Sequence, residues 1–156
     1  MTSPRILNVG LVDVTYGTGV TIVEPANLYG CTLGDDVFVG PFVEIQRGVT
    51  VGARTRVQSH SFICELVTIG EDCFIAHGVM FINDTFQTGG PAKGRQDLWR
   101  GTTIGNHVSL GSNATIMPVR IADGVVVGAG AVVTKDLLER GIYAGNPARL
   151  VRRIDA

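Results

Sequence analysis

Residues 31–81 read CTLGDDVFVGPFVEIQRGVTVGARTRVQSHSFICELVTIGEDCFIAHGVMF. A large apolar residue recurs here every six residues, and a smaller or β-branched residue stands two places before each one. The large residues are Leu33, Val39, Ile45, Val51, Val57, Ile63, Ile69, Ile75 and Phe81. This spacing fits neither the helical period of about 3.6 nor the strand period of about 2, so one long element cannot bury these residues together. A chain that turns after every inward pair buries them all, and the pattern therefore predicts a parallel β-helix.

The same pattern predicts how the coils stack. With three hexads per coil, residues 18 apart lie over one another at the strand spacing of about 4.8 Å. The period resumes at Thr102 and runs to Val133, with one five-residue step from Ile116 to Ile121. Fifteen hexads predict about five coils. Residues 1–20 are predicted as a lead-in that covers the first coil. Asn27 stands at a position where the period predicts an aliphatic residue. The predicted columns are Leu33, Val51, Ile69; Val39, Val57, Ile75; and Ile45, Ile63, Phe81.

Two segments depart from the period. Residues 82–101 gather Gly89, Gly90, Pro91 and Gly94 with mixed charge, which predicts an extruded loop of a kind that is usually functional. Residues 135–156 are predicted as a C-terminal tail, with a helical turn at residues 137–140 and a short helix at residues 149–154. The chain as a whole, residues 1–156, is predicted to be one all-β domain.

Glycine directly follows seven of the fifteen large inward residues. Such a glycine suits either a turn with unusual dihedral angles or a close approach of two backbones. The seven are Gly34, Gly40, Gly52, Gly70, Gly105, Gly111 and Gly128.

Composition and charge argue against several classes of protein. Apolar residues make up 45% of the chain and charged residues 17%, so the chain folds despite its 21 glycines. A formal net charge of −1 argues against a general nucleic-acid surface. We find neither a signal-peptide pattern nor an apolar stretch long enough to cross a bilayer, which predicts a cytoplasmic protein without a membrane partner. Cys31, Cys64 and Cys73 are predicted to be reduced packing residues rather than a disulfide or metal framework.

The hexads, the loop and two C-terminal phrases together resemble the hexapeptide-repeat acyltransferases. The phrases are VGAGAVVTKD at residues 127–136 and AGNPARLVRRI at residues 144–154. This resemblance implies a left-handed β-helix, a homotrimer, and acetyl-coenzyme A (acetyl-CoA) bound in the groove between neighbouring coils, without a metal. HGVMFIND at residues 77–84 is similar to small enzymes that N-acetylate nucleotide-linked amino sugars for glycan or lipopolysaccharide synthesis. The loop before Gly101 departs from that branch because it is shorter and less basic.

By this resemblance, Asn83 binds the acceptor amine, and Asp84 orients that amine or takes its released proton. The structural alternative is that Asn-Asp only begins the loop through side-chain bonds to the backbone. Residues 82–101 contain no His, whereas O-acetylating relatives carry one there, near Phe86 in this chain. A sugar amine should titrate near neutrality, as an α-amino group does at about 7.7–8.0, so it needs no strong base, and N-acetylation is favoured.

The histidines and the loop return supply further candidates. His60 and His77 are separated by one coil less one residue, which predicts neighbours on one edge of the β-helix. We assign His77 to catalysis as a proton acceptor and His60 to the substrate site, against the alternative of exposed corner residues. His107 is expected to be an exposed corner residue, and Arg100 is a predicted phosphate or carboxylate contact for the substrate.

The resemblance also implies a cofactor site. Backbone N–H groups of Ser112 and Ala129 would meet the thioester and the pantetheine, and Gly111 and Gly128 would let the cofactor approach. Basic residues near the C-terminus would contact its phosphates, although solvated side chains are the ordinary explanation for any one of them. The predicted cofactor residues are Gly111, Ser112, Gly128, Ala129, Lys135, Asn146, Pro147, Arg149 and Arg152.

Three other functions use the same scaffold. The acceptor could be a hydroxyl group of a sugar or another small molecule. A γ-type carbonic anhydrase would bind a metal through histidines, although the close pair separated by four residues that such enzymes carry is missing. A non-catalytic trimeric β-helix would need neither the loop nor the C-terminal phrases.

Overall fold

Short strands wind into three flat sheets. The structure is a computed structural model that describes residues 4–5, 7 and 9–154. Within these residues the chain forms 21 strands and one 3-10 helix. The strands of the first three coils are β1 (Leu11–Val12), β2 (Thr15–Tyr16), β3 (Thr21–Ile22), β4 (Asn27–Tyr29), β5 (Thr32–Leu33), β6 (Phe38–Val39), β7 (Glu44–Ile45), β8 (Thr50–Val51) and β9 (Arg56–Val57). Those of the next two coils are β10 (Phe62–Ile63), β11 (Val67–Ile69), β12 (Phe74–Ile75), β13 (Met80–Phe81), β14 (Thr102–Ile104) and β15 (Ser109–Leu110). The last are β16 (Thr115–Ile116), β17 (Arg120–Ile121), β18 (Val126–Val127), β19 (Val132–Val133), β20 (Gly141–Ala144) and β21 (Arg149–Arg153).

Each of the first six coils contributes one strand to each sheet, and the coils pair in parallel. Sheet A holds β1, β4, β7, β10, β13, β16 and β19, and sheet B holds β2, β5, β8, β11, β14 and β17. Sheet C holds β3, β6, β9, β12, β15, β18, β20 and β21. The predicted columns are confirmed, because Leu33 pairs with Val51 and Val51 with Ile69. The predicted parallel β-helix is therefore confirmed.

Chain turns join the sheets at three edges, which we name the A–B, B–C and C–A edges. In most coils the turn at the B–C and C–A edges places one residue in the left-handed region, such as Arg54 with φ 59° and His60 with φ 64°. We call the residue before it the corner residue, and "above" means toward later coils. The corner residues of the C–A edge are Pro41, Ser59, His77, Ser112 and Ala129, and those of the B–C edge include Asp35, Ala53, Glu71, Asn106 and Asp123.

Glycine after an inward residue serves close approach. A Cβ on Gly52 would lie 2.5 Å from the carbonyl carbon of Gly70 in the next coil. A Cβ on Gly111 would lie 2.5 Å from the amide nitrogen of Ala129. The left-handed conformation falls instead two residues later, as at Arg54 after Gly52. Of the two explanations for these glycines, backbone contact between coils is the correct one.

The interior is apolar and closed. The large inward side chains and the three cysteines are buried, and the cysteines are free thiols, as predicted. Burial raises the pKa of the Cys31 thiol to about 11 and that of Cys64 to about 12. These thiols therefore act as packing groups at neutral pH.

The predicted lead-in is itself a coil. Leu11 pairs with Leu28, and Tyr16 pairs with Leu33, so residues 11–22 continue the columns instead of covering them. With these coils the β-helix has about seven turns rather than five. Asn27 lies beside the inward Leu28 and is not itself an inward position. Residues 1–3, 6 and 8 of the predicted lead-in lie outside the described residues.

The predicted helical tail is wrong. Leu137 forms a parallel bridge to Ile121 in sheet B, and β20 then pairs with β18. Strand β21 returns antiparallel to β20, so residues 149–153 are a strand. Pairing with the last coil satisfies backbone groups that a helix at the sheet end would leave open. Residues 155–156 of the predicted tail lie outside the described residues.

The predicted loop lies between β13 and β14. It leaves the A–B edge at residue 82 and returns at residue 101, with a 3-10 helix at Gln96–Leu98. The carbonyl of Asn83 accepts a hydrogen bond from the amide of Arg100 at 2.9 Å, which ties the two ends of the loop together.

Candidate functional site

The C–A edge carries a row of unused backbone donors. Successive corner residues are stacked there, since Asn113 N–H donates to the His77 carbonyl and Gly130 N–H to the Ser112 carbonyl. Within the part of the chain that the structure describes, the N–H groups of His77, Ser112 and Ala129 donate to no acceptor. A row of oriented N–H groups at a surface suits a ligand with carbonyl or other acceptor oxygens.

The B–C edge shows the contrast. There, side chains of the next coil accept from three corner amides: Asp35 from Thr18 at 2.7 Å, Asn106 from Glu71 at 2.9 Å, and Asp123 from Asn106 at 2.8 Å. The corner amides of Asp35, Ala53 and Asp123 donate to no acceptor in the described residues, so the occupied amides interrupt the row of free ones. Asn and Asp side chains are suited to this, because a short polar side chain can reach a neighbouring backbone donor. Above His77 and Ser112 stand Ser112 and Ala129, whose side chains accept no such bond in the described residues.

Two predicted histidines lie at the C–A edge. His77 Nδ1 is 2.9 Å from the hydroxyl of Ser59, the corner residue directly below it. His60 follows Ser59, is exposed, and its ring centroid is 4.9 Å from that of Phe42. His107 lies at the B–C edge, exposed, with Nδ1 3.9 Å from an Asp72 oxygen. The structure thus brings His60 and His77 together with Ser112 and Ala129 and places His107 elsewhere.

The acceptor candidates lie at the A–B edge, on the other side of sheet A. Asn83 is half-buried, and its side-chain amide donates to the Glu65 carbonyl at 3.3 Å. Arg100 is exposed, and its guanidinium donates to the carbonyls of Asp97 and Trp99. A groove of about 420 Å³ adjoins the base of the loop. Its lining residues are Thr85, Arg100, Gly101, Met117, Pro118 and Thr134.

Asp84 holds the loop. One carboxylate oxygen accepts from the amide of Phe86 at 2.9 Å, and the other accepts from the amide of Ala92 at 2.7 Å. Both oxygens are therefore engaged by the backbone in this structure. The geometry supports the structural alternative for Asp84, because the carboxylate organises the turn that begins the loop.

The C-terminal candidates are divided between two edges. The turn that holds Asn146 and Pro147 lies above Ala129, because Val132 N–H donates to Gly145 and Ala148 N–H to Val132. Arg149 pairs with Ala144 at the end of β21 that adjoins this turn, and Arg152 lies three residues further along the strand. Lys135 follows β19 at the A–B edge, so it is separated from these arginines.

Sequence reasoning missed two features. Ser59 stands 18 residues before His77, so the predicted stacking distance could have found their contact. A groove of about 540 Å³ on the upper part of sheet B, with Arg120 and Arg140 in its lining, carries no pattern that singles it out in the sequence.

In the described residues, no three or more His, Cys, Asp or Glu side chains are grouped so that they could hold a metal ion. None of the helical structure in those residues has the length and apolar character that a bilayer crossing requires.

A parallel β-helix of hexads, with a loop leaving one edge and free amides along another, defines the hexapeptide-repeat class of transferase. Two family models match the chain: "Bacterial transferase hexapeptide (six repeats)" over residues 30–65 and "Hexapeptide repeat of succinyl-transferase" over residues 101–135. The chain belongs to the hexapeptide-repeat acyltransferase family.

Comparison with individual proteins agrees with this assignment. The bifunctional protein GlmU of Clavibacter sepedonicus is 38% identical over 109 residues, which cover 69% of this chain and 20% of that protein. The chain spans between 20% and 27% of the length of such curated relatives.

Solved structures show the same fold. A mutant of AntD, an N-acyltransferase from Bacillus cereus in complex with dTDP and coenzyme A, superposes with a TM-score of 0.79 at 24% identity, covering 90% of this chain and 84% of AntD. A galactoside acetyltransferase in complex with coenzyme A superposes with a TM-score of 0.67 at 30% identity, covering 79% of this chain and 64% of that one. At the identity of AntD the likeness establishes the fold alone.

Proposed function

We propose that this chain is an acetyl-CoA-dependent N-acetyltransferase whose acceptor is an amino group of a nucleotide-linked amino sugar. The observation that carries the proposal is the C–A edge, where the free amides of Ser112 and Ala129 stand beside His77. Thioester and pantetheine carbonyls are acceptors that such donors bind, and an amide aimed at the reacting carbonyl stabilises the oxyanion of acyl transfer.

We propose that the active form is a homotrimer. One chain holds Asn83 and Arg100 at the A–B edge and His77 at the C–A edge, so sheet A separates the two groups. A copy that sets its A–B edge beside the C–A edge of its neighbour would bring the acceptor residues to the thioester. Met80, which is 39% exposed, and the half-buried Phe62 lie on the outer face of sheet A and offer apolar surface for that contact.

In the proposed reaction the unprotonated amine attacks the thioester carbonyl. A carbon–nitrogen bond forms and the carbon–sulfur bond breaks, and the proton of the amine passes to the thiolate or to solvent. Asn83 would bind the amine, Arg100 would contact a phosphate of the nucleotide, and His60 would border the acceptor. Asn146, Pro147, Arg149, Arg152 and, from the A–B edge, Lys135 would hold the remainder of coenzyme A.

Transfer to an amine rather than to a hydroxyl is supported by the loop, since residues 82–101 contain no His to serve as base. AntD, with its N-acyltransferase activity and bound dTDP, supports an acceptor that carries a nucleotide. The likeness to a galactoside acetyltransferase favours a second candidate, acetylation of a sugar hydroxyl.

One experiment separates these candidates. Purified protein is mixed with acetyl-CoA and a panel of nucleotide-linked amino sugars, each matched with its hydroxyl analogue, and thiol release is followed. We expect release with an amino sugar and none with its hydroxyl analogue. Release with hydroxyl acceptors alone would favour the second candidate, and no release with any acceptor, together with no binding of coenzyme A, would refute acetyl transfer.

A further inference from the structure

We propose that Ser59 is a positioning residue that fixes neutral His77 in the tautomer with its proton on Nε2, so that His77 donates a hydrogen bond and does not act as a base. This inference rests on the proposed function and revises the catalytic role that the sequence suggested for His77. It concerns which nitrogen of one imidazole carries the proton, which the contacts of that imidazole determine.

The contact with Ser59 is where the proposal places the proton. Ser59 Oγ lies 2.9 Å from His77 Nδ1, and in the described residues this hydroxyl makes no other hydrogen bond. A serine hydroxyl can donate to an unprotonated Nδ1 or accept from Nδ1–H. The proposal takes the first arrangement, in which the hydroxyl proton is bonded to Nδ1 and the imidazole proton stands on Nε2.

The surroundings of His77 lack the carboxylate that often supports a histidine base. A histidine that acts as a base is held by a carboxylate or carbonyl that accepts its Nδ1–H, which leaves Nε2 free. Among the described residues no Asp or Glu side chain bonds to His77. The corner residues below and above it, Ser59 and Ser112, are uncharged, and His60 is the titratable neighbour at this edge.

The donor role matches the free amides. Nε2–H of His77 and the N–H of Ser112, one coil above, give two donors at one edge. The proposal assigns both to the thioester oxygen, which becomes negatively charged when the amine adds to the carbonyl and returns to a carbonyl when the carbon–sulfur bond breaks. His77 keeps its proton throughout, and the proton of the amine leaves to the thiolate or to solvent.

The first test reads the tautomer directly. Protein labelled with ¹⁵N in histidine is studied by NMR at a pH where the imidazoles are neutral, with His107→Gln and His60→Gln used for assignment. We expect His77 with Nδ1 unprotonated and Nε2 protonated, and a shift toward mixed tautomers in Ser59→Ala. A His77 that carries its proton on Nδ1 would overturn the inference whether or not the protein transfers acetyl groups.

The second test uses two amides in place of the imidazole. The side-chain nitrogen of Gln can stand near the position of His Nε2, whereas that of Asn stands near Nδ1. We expect His77→Gln to keep kcat/KM within about tenfold of the wild type and His77→Asn to lose about 100-fold, the cost of one lost oxyanion donor. Equal losses in both variants would show a base and refute the donor role.

Two further readouts check the role of Ser59. Ser59→Thr, which keeps the hydroxyl, should retain activity, while Ser59→Ala should lower kcat more than it changes the KM for acetyl-CoA.

The pH profile of kcat/KM should follow the ionisation of the acceptor amine alone. A second ionisation that disappears in His77→Gln would overturn the inference, and His107→Gln serves as the control that leaves the profile unchanged.

Discussion

Replacement of Ala129 by Pro tests the free amides of the C–A edge without removing a side chain that contacts anything polar. Proline lacks the N–H, and its fixed φ suits the residue before a left-handed position in a turn. The chain already has a proline at an equivalent position of the same edge. Pro41 follows Gly40 and precedes Phe42, which has φ 60°. Ala129 likewise follows Gly128 and precedes Gly130, which has φ 67°. We therefore expect Ala129→Pro to fold normally.

The magnitudes follow from one lost hydrogen bond. Restricting the unfolded chain should stabilise the protein by about 0.4–1 kcal/mol, a rise of about 1–4 °C in Tm without ligand. Loss of one donor to coenzyme A should cost about 0.5–1.5 kcal/mol, a rise of about two- to tenfold in Kd by isothermal titration calorimetry.

Ala53→Pro is the matched control. Ala53 follows Gly52, precedes Arg54 with φ 59°, and its amide also donates no hydrogen bond within the described residues, but it lies at the B–C edge. It should leave the Kd for coenzyme A unchanged. An unchanged Kd in Ala129→Pro, or an equal rise in Ala53→Pro, would refute the assignment of the C–A edge to the cofactor.

Three further outcomes are expected. Asn83→Ala should lower acetylation of the amino sugar at least tenfold, about 1.4 kcal/mol, while the Kd for coenzyme A stays constant; unchanged turnover would remove Asn83 from the acceptor site. Gly52→Ala should destabilise the protein by about 1–3 kcal/mol in a thermal melt, since its Cβ would meet the Gly70 backbone at 2.5 Å, whereas Gly90→Ala, with open space around it, should not lower Tm. Burial raises the pKa of the Cys31 thiol to about 11, so the folded protein holds the thiol proton more tightly than the unfolded chain does. The contribution of Cys31 to the free energy of unfolding should therefore be constant below pH 9, the ordinary pKa of the thiol, and should fall as the pH rises from 9 toward 11. A Cys31→Ala variant should show a smaller decline, because Cys64 and Cys73, whose pKa values burial also raises, keep their own contributions. A decline of equal size in the variant would contradict the contribution of Cys31.

The sequence predicted the fold where the period is uniform and failed where it changes phase. Between Leu33 and Phe81 every step is six residues, and all three predicted columns exist. The steps from Leu11 to Tyr16 and from Leu28 to Leu33 are five residues, so the first coils fall out of phase with a fixed hexad. Strand β20 pairs with β18 through the backbone, and β21 pairs with β20. Backbone pairing of this kind produces no six-residue period in the side chains, so the sequence did not predict these two strands.

The candidate site was predicted in its parts and not in its arrangement. Resemblance supplied His77, Ser112 and Ala129 separately. Their common edge follows from register, yet His77 and Ser112 are 35 residues apart because the loop lies between them, so the 18-residue rule does not connect them. The hydroxyl of Ser59 below His77 does obey that rule, and it is the contact on which the proposed role of the imidazole rests.

The side chain of each corner residue decides whether the corner amide of the coil below stays free. Where that residue is Asp or Asn, as at Asp35, Asn106 and Asp123, its side chain occupies the amide of the coil below and interrupts the row of free amides at the B–C edge. Where it is Ser or Ala, as at Ser112 and Ala129, the amide below keeps its N–H for another partner. Both edges have the same backbone, so the folding energy of the β-helix does not require the difference between them. Free amides in consecutive coils, as at His77, Ser112 and Ala129, make sense if a ligand supplies the acceptors that the chain withholds there.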